Sequence, residues 1–344
     1  LAVTEGLPYW VLMLVLLPML IDDLDDFYRL CMPLIVVGVV AAVAVQLHPA
    51  SSYYAGRLHI SLPGPGGIGL ERKNPLVLGD LGAMAAISAG LFVPASKSWT
   101  TILLRGAAVF FGLSLAFATA RGQALGGLLV LCSLFFLARG GTGRGVFAVA
   151  GVAAVVVLGG MFYWLIFNDN QAGGRFSTEA FAEGGLTRVQ YGEALLSAMA
   201  NNPIAWAIGL GTHATAQLLG DPGSTSAYPH NLIVQVVGEH GMLGFTILVL
   251  ICLSLAALVW SVWPLVNRDR VKRSAFTVLL GICAYAFLIS MKQGSFVIQP
   301  MPFAVFLVFG RILYCERQRA YAAIAEEDEY AEVPEQELAR LGPA

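Results

Sequence analysis

Apolar runs of near-membrane length, separated by short polar breaks, set the plan of this chain. Nine stretches (8–21, 31–47, 75–94, 100–119, 123–138, 146–167, 241–263, 274–292 and 296–314) are apolar over most of the roughly 20 residues a spanning helix needs. They predict an all-α fold, a polytopic transmembrane helical bundle. Two of the stretches are short, and the chain opens on Leu1 among apolar residues, which predicts further spans before it. No signal peptide is recognisable. The pattern turns polar over 168–229, predicting a large extramembrane loop that contains short helices. Residues 1–315 therefore read as one transmembrane domain, and the Glu-rich, Pro-punctuated stretch 316–344 reads as a solvated helical tail that frays.

Composition agrees with that class. Only 12% of residues are charged and 57% are hydrophobic, with a mean hydropathy of +0.73, whereas a soluble chain carries about 25% charge. The net charge of -2 and the lack of a basic stripe with interleaved aromatics exclude nucleic acid as a partner. Cys31, Cys132, Cys252, Cys283 and Cys315 stand apart, in or beside spans, and suggest neither a disulfide framework nor a metal site. No His/Glu cluster has metal-ligand spacing, so the expected site has no metal and no cofactor. The Gly-rich run 139–145 lacks the phosphate-loop Lys and Ser/Thr, and 63–67 is a loop turn.

Cations in the connections orient the bundle. Arg268, Arg270, Lys272 and Arg273 crowd one short loop, Arg139 and Arg144 another, and Arg311, Arg317 and Arg319 follow the last span; these mark the cytoplasmic side. Asp22, Asp23, Asp25 and Asp26 fall on the same side with only Arg29 beside them. Acidic residues carry little topological weight, so the assignment holds.

The outer face then collects Arg57, Arg72, Lys73, Arg121, Arg175, Arg188, His213 and His230, more cation than the positive-inside rule favours. An anionic ligand there would account for them; scatter along long loops is the blander reading. Arg121 lies in a small-residue turn between two spans, where Gly122 allows close backbone approach and a guanidinium can either snorkel or grip phosphate. Thr187 and Gln190 have capping-box spacing, which predicts a helix starting there with Arg188 in its first turn, beside free N–H groups suited to an anion. After Pro229, the residues Asn231, Gln235 and Glu239 recur every four positions and share a helical face. The segment 229–240, with His230 at its start, reads as a polar half-helix lining a cavity, and the span proper begins at Gly241. His213 stays a loop residue.

Lys73-Asn74-Pro75, Ala120-Arg121-Gly122, Asn202-Pro203, Gly209-Leu210-Gly211, Pro229-His230-Asn231 and Glu239-His240-Gly241-Met242-Leu243-Gly244 stand in an order that resembles the O-antigen ligase and polymerase superfamily of membrane glycosyltransferases. The resemblance covers roughly 71–250, with a loop of modest length. It implies a GT-C-like fold in the bacterial inner membrane with the site facing the periplasm. The donor would be a glycan on undecaprenyl diphosphate, the acceptor a hydroxyl of lipid A core, of the growing glycan or of protein. Arg188 and Arg121 would stabilise the leaving diphosphate, with Arg175, Arg72 and Lys73 assisting. His230 would orient or deprotonate the acceptor, with Asn231 and Glu239 around it, and the anomeric carbon would invert. The rival readings are a transporter of a small anion and a non-catalytic part of an envelope-assembly complex. Transporters share polar broken helices but show them in paired halves, and no internal repeat is present.

Overall fold

The computed structural model describes residues 19, 21–54, 57–63, 70–72, 75–96, 98–139, 178–200, 202–212, 214–220, 229, 231–293 and 301–331. Ten helices and three strands occur among them. In chain order they are α1 (Leu24–Leu47), β1 (Ser51–Tyr54), β2 (Arg57–Pro63), β3 (Leu70–Arg72), α2 (Pro75–Leu91), α3 (Trp99–Thr119), α4 (Arg121–Arg139), α5 (Thr178–Ala200), α6 (Pro203–Ile208), α7 (Ala214–Leu218), α8 (Leu232–Val266), α9 (Arg270–Gln293) and α10 (Met301–Ala331).

Five of these helices, α1, α3, α4, α8 and α9, are long and apolar enough to cross a membrane, so the protein is a multi-pass membrane protein. They match the expected spans 31–47, 100–119, 123–138, 241–263 and 274–292. The span expected at 75–94 is the shorter apolar helix α2. Of the span expected at 296–314, residues 301–314 fall in α10 and the rest lie outside the described residues, as do the spans expected at 8–21 (save its last residues) and 146–167.

Helix α2 is the centre of the bundle, and small residues put it there. Gly79, Gly82, Ala83, Ala86 and Ala89 are buried along it, and without bulky side chains neighbouring backbones can approach closely. A Cβ on Gly82 would strike the carbonyl of Gly112 in α3, and one on Gly112 would come within 2.5 Å of the carbonyl of Gly82. On another side, Gly127 of α4 rests on Ala83, and Gly281 of α9 rests on Leu91 and Ile87. Arg105 of α3 donates from Nε to the Ala89 carbonyl at 2.8 Å, satisfying an acceptor freed at the end of α2.

One end of the bundle gathers the basic loops, and the acidic run joins them. Arg311 pairs with Asp22 at 2.6 Å, Arg319 with Asp23 at 2.5 Å, and Lys272 reaches Glu316 at 2.9 Å and Asp25 at 3.9 Å. The acids that seemed misplaced on the basic side are thus its counter-ions. Glu316 is only 5% exposed and also accepts from the Leu24 N–H at 3.2 Å. The tail expected to be solvated from 316 onward therefore begins with a residue that pins α10 to α1 and α9.

The fold is mostly helical, as expected, and the opposite end adds a small sheet to it. β1, β2 and β3 form an antiparallel sheet in the order β1-β2-β3, with Ser51 opposite Ile60 and Ser61 opposite Arg72. Leu58 of β2 buries itself against Ala42 of α1 and Leu115 of α3, fastening the sheet to the bundle.

Candidate functional site

The expected half-helix is present, and glycine makes it. α8 is interrupted at Gly241, where φ is 65° and ψ is -164°, a region essentially reserved for glycine. Residues 232–240 form a short helix and 242–266 the span, as the sequence predicts. Asn231 caps the start: its Oδ1 accepts from Ile233 N–H at 3.0 Å and Val234 N–H at 3.2 Å. That oxygen is committed to the cap, which leaves only the Nδ2 donors of Asn231 for a ligand.

A break in a helix frees carbonyls, and here the Gly209–Gly211 loop supplies the donors. Leu210 N–H donates to the Gly238 carbonyl at 2.9 Å and Gly211 N–H to the Glu239 carbonyl at 3.0 Å. The approach is closed on both sides by glycine. A Cβ on Gly209, whose φ is 83°, would overlap the backbone of Glu239, and one on Gly241 would lie 2.6 Å from the Ala207 carbonyl and the Gly209 nitrogen. Two motifs separated by some 30 positions in the chain are therefore one interlocked backbone unit.

Inside this unit sits a buried polar pair. Glu239 is 2% exposed and Gln235 is 3% exposed, and Gln235 Nε2 donates to Glu239 Oε2 at 3.3 Å. The shared face predicted for positions 235 and 239 is real. Gln235 Oε1 finds no hydrogen-bond partner among the described residues.

Helix α5 lies along the same half-helix. Leu195 packs on Gly238, and Gly192 faces Val234; helical periodicity puts position 188 on the same face, one turn before Gly192. The expectation for Arg188 needs correcting in one respect. α5 starts at Thr178, so Arg188 stands in the middle of a helix, without free first-turn N–H groups beside it. The stretch 178–186 carries good helix formers such as Ala180, Ala182 and Glu183, and they carry the helix through the Thr187 capping signal.

Arg121 is the first residue of α4. The turn before it is reduced to Ala120, whose N–H donates to Ala116 at 2.8 Å and whose carbonyl accepts from Gln123 at 3.1 Å and Ala124 at 3.2 Å. The backbone approach expected at Gly122 exists but is taken by protein: a Cβ there would overlap the Lys292 side chain out to Nζ. Lys292, in the last turn of α9, belongs to a polar cluster that the sequence reading missed. The Tyr285 hydroxyl donates to Asp80 Oδ1 at 2.7 Å, and the Lys292 ammonium acts on the same carboxylate. Gln123, fully buried, lies alongside Asp80, and its amide acts on the same carboxylate. A lone Asp in an apolar helix was the signal to notice.

The last turn of α9 joins the two regions. Met291 packs against the cluster that Leu232, Val236 and Leu248 of α8 form, while Lys292 covers Gly122. The start of α4, the half-helix and α5 thus share the end of the bundle opposite the basic loops. Arg72 ends β3 at that same end. The side chains of Arg72, Arg121 and Arg188 lie outside the described residues, as do Lys73, Arg175, His213 and His230.

Among the described residues no group of three or more His, Cys, Asp or Glu could hold a metal ion. Compared with known proteins, the chain matches no family model and no curated sequence at a significant level.

Proposed function

We propose that the protein is a membrane glycosyltransferase that moves a glycan from undecaprenyl diphosphate to an acceptor hydroxyl on the periplasmic side of a bacterial inner membrane. The observation that carries this reading is the glycine interlock at Gly209 and Gly241, which holds the buried Glu239 carboxylate in a broken helix, with α5 packed on the same half-helix through Leu195 and Gly238.

The acceptor oxygen attacks the anomeric carbon as the bond from that carbon to the diphosphate oxygen breaks. The electron pair leaves with the diphosphate, and the acceptor proton passes to His230. Charge growing on the leaving group is the main electrostatic demand, and Arg121 and Arg188 meet it. Arg175, Arg72 and Lys73 add positive potential. Glu239 and Asn231 set the surroundings of His230, and direct displacement inverts the anomeric centre. Lipid A core, a growing surface polysaccharide and protein hydroxyls are all chemically equivalent acceptors for this step.

A transporter of a small anion is the second reading, favoured by the break in α8 and by the polar cluster at Asp80, since transporters bind ions at interrupted helices. The two readings separate in proteoliposomes loaded with a lipid-diphosphate-linked oligosaccharide. Release of undecaprenyl diphosphate with glycan on an added acceptor supports the transferase; anion uptake without any transfer overturns it.

A further inference from the structure

Helix α6 lies within the polar stretch 168–229, yet its own residues suit an apolar surrounding. From Pro203 to Ile208 it carries no polar side chain, and all of its residues but Ala205 are exposed. Ile204 is 68% exposed, Ile208 62% and Trp206 42%. The helix does not stand apart from the bundle, because its last turn meets the break in α8. A Cβ on Gly241 would lie 2.6 Å from the Ala207 carbonyl and the Gly209 nitrogen. Ile208 joins those two atoms in the chain, and Met242 follows Gly241, so exposed apolar residues flank one backbone contact from both sides. Met242 and Leu243 open the outward face of a span, which continues through Ile247 and Leu250 to Trp260. The exposed face of α6 is thus continuous with the lipid-facing side of α8. Counting back from Trp263, beside the basic loop, the roughly 20 residues that cross a hydrocarbon core reach Leu243. That depth puts the break, and α6 with it, at the membrane boundary, where tryptophan is enriched.

We propose that α6 docks on the lipid bilayer, with Ile204, Trp206 and Ile208 seated in the interfacial layer at the end of the bundle opposite the basic loops. An apolar patch exposed outside the spans marks a protein or a membrane contact, and continuity with the lipid-facing side of α8 selects the membrane. In water these side chains would carry the cost of apolar exposure. At the interface the Trp206 ring lies among acyl chains while its N–H stays with the headgroups. The contact sets the height of the Gly209–Gly211 loop, and through that loop the height of the half-helix, at the headgroup layer. This inference rests on the membrane reading alone and stands whether or not the chain transfers a glycan.

Fluorine NMR of the full chain, labelled with fluorotryptophan and held in nanodiscs, tests this. The chain has six tryptophans, and Trp206→Phe and Trp260→Phe assign the two resonances that matter. Both residues are exposed, so neither substitution opens a cavity in the core. Trp260, 84% exposed within the α8 span, is the lipid reference. Two relaxation agents are compared: a phospholipid with a nitroxide near the headgroup end of its acyl chain, and a nickel chelate confined to water. The Trp206 resonance is expected to broaden severalfold more with the nitroxide lipid than with the chelate, in the same order as Trp260. Broadening by the chelate equal to or above that by the lipid would put Trp206 in water and overturn the docking. Little response to either agent would show α6 covered by protein, such as a second copy of the chain, and would overturn it as well.

Discussion

Replacing Gly241 by Ala puts the interlock under direct strain. Two costs add at this position. The backbone conformation, φ 65° and ψ -164°, is one that L side chains rarely adopt, and holding a non-Gly residue in such a region costs about 1–3 kcal/mol. The new Cβ would also lie 2.6 Å from the Ala207 carbonyl and Gly209 nitrogen, backbone atoms that cannot rotate away, and overpacking of this kind costs roughly 1–3 kcal/mol. Together the substitution destabilises by about 2–6 kcal/mol, or straightens α8 and breaks the bonds from Leu210 and Gly211. Gly220→Ala is the internal control, because Gly220 also has a positive φ, 74°, but nothing within 4 Å of its Cβ position among the described residues, and so carries the conformational cost without a described clash. Thermal unfolding of both variants in nanodiscs, with transfer activity measured alongside, separates the two. Gly241→Ala is expected to melt well below Gly220→Ala and to lose transfer. Equal melting of the two variants would refute the argument that α8 and the Gly209–Gly211 loop are locked backbone to backbone.

Further expectations concern the two ends of the bundle. Glu316→Ala leaves the Leu24 N–H and the Lys272 ammonium without their buried partner; it should lower stability by about 1–3 kcal/mol, and a melting temperature equal to wild type would show that Glu316 does not tie α10 to α1. Tyr285→Phe removes the donor to Asp80 and should cost about 1.5–3 kcal/mol; a double-mutant cycle with Asp80→Asn that returns strict additivity would contradict the pairing. Asp23 is raised by burial, but the N–H of Asp26 and the Arg319 guanidinium outweigh that and hold its carboxyl below the usual 3.8. A depressed carboxylate stabilises fully above its unfolded value, about 3.9, and the contribution fades as pH falls through the lower folded value. The stability gap between wild type and Asp23→Asn should therefore be present at neutral pH and shrink on acidification below about pH 4; a gap constant with pH would remove Asp23 as a charged cap.

The half-helix at 232–240 was legible because several local signals agree: Pro229 and Asn231 before it, polar residues every four positions, and Gly241 after it. The five spans found among the described residues were legible from length and hydropathy alone. Other features depend on partners far away in the chain. Asp22, Asp23 and Asp25 look out of place until Arg311, Arg319 and Lys272 arrive from roughly 250 to 300 positions further along the chain. The sheet was hidden because β2 shows its alternation, Leu58, Ile60 and Leu62, over only seven residues of a stretch dominated by Gly and Pro signals. The sequence points to a helix start at Arg188 because a capping-box spacing marks where a helix can begin and does not forbid an earlier one. Lys292 and Asp80 stand some 200 positions apart, and only the packing of α2, α4 and α9 around small residues brings them together.

The central claim is glycan transfer carried by groups at the end of the bundle opposite the basic loops. The most direct measurement compares wild type, Arg188→Ala and His230→Ala in liposomes, following release of undecaprenyl diphosphate and labelling of the acceptor. Loss of an electrostatic stabiliser or of a general base slows such reactions by about 100-fold or more, so both folded variants should fall by at least that factor while wild type turns over. Wild-type activity retained in both variants, or no transfer by wild type to any acceptor, would contradict the account.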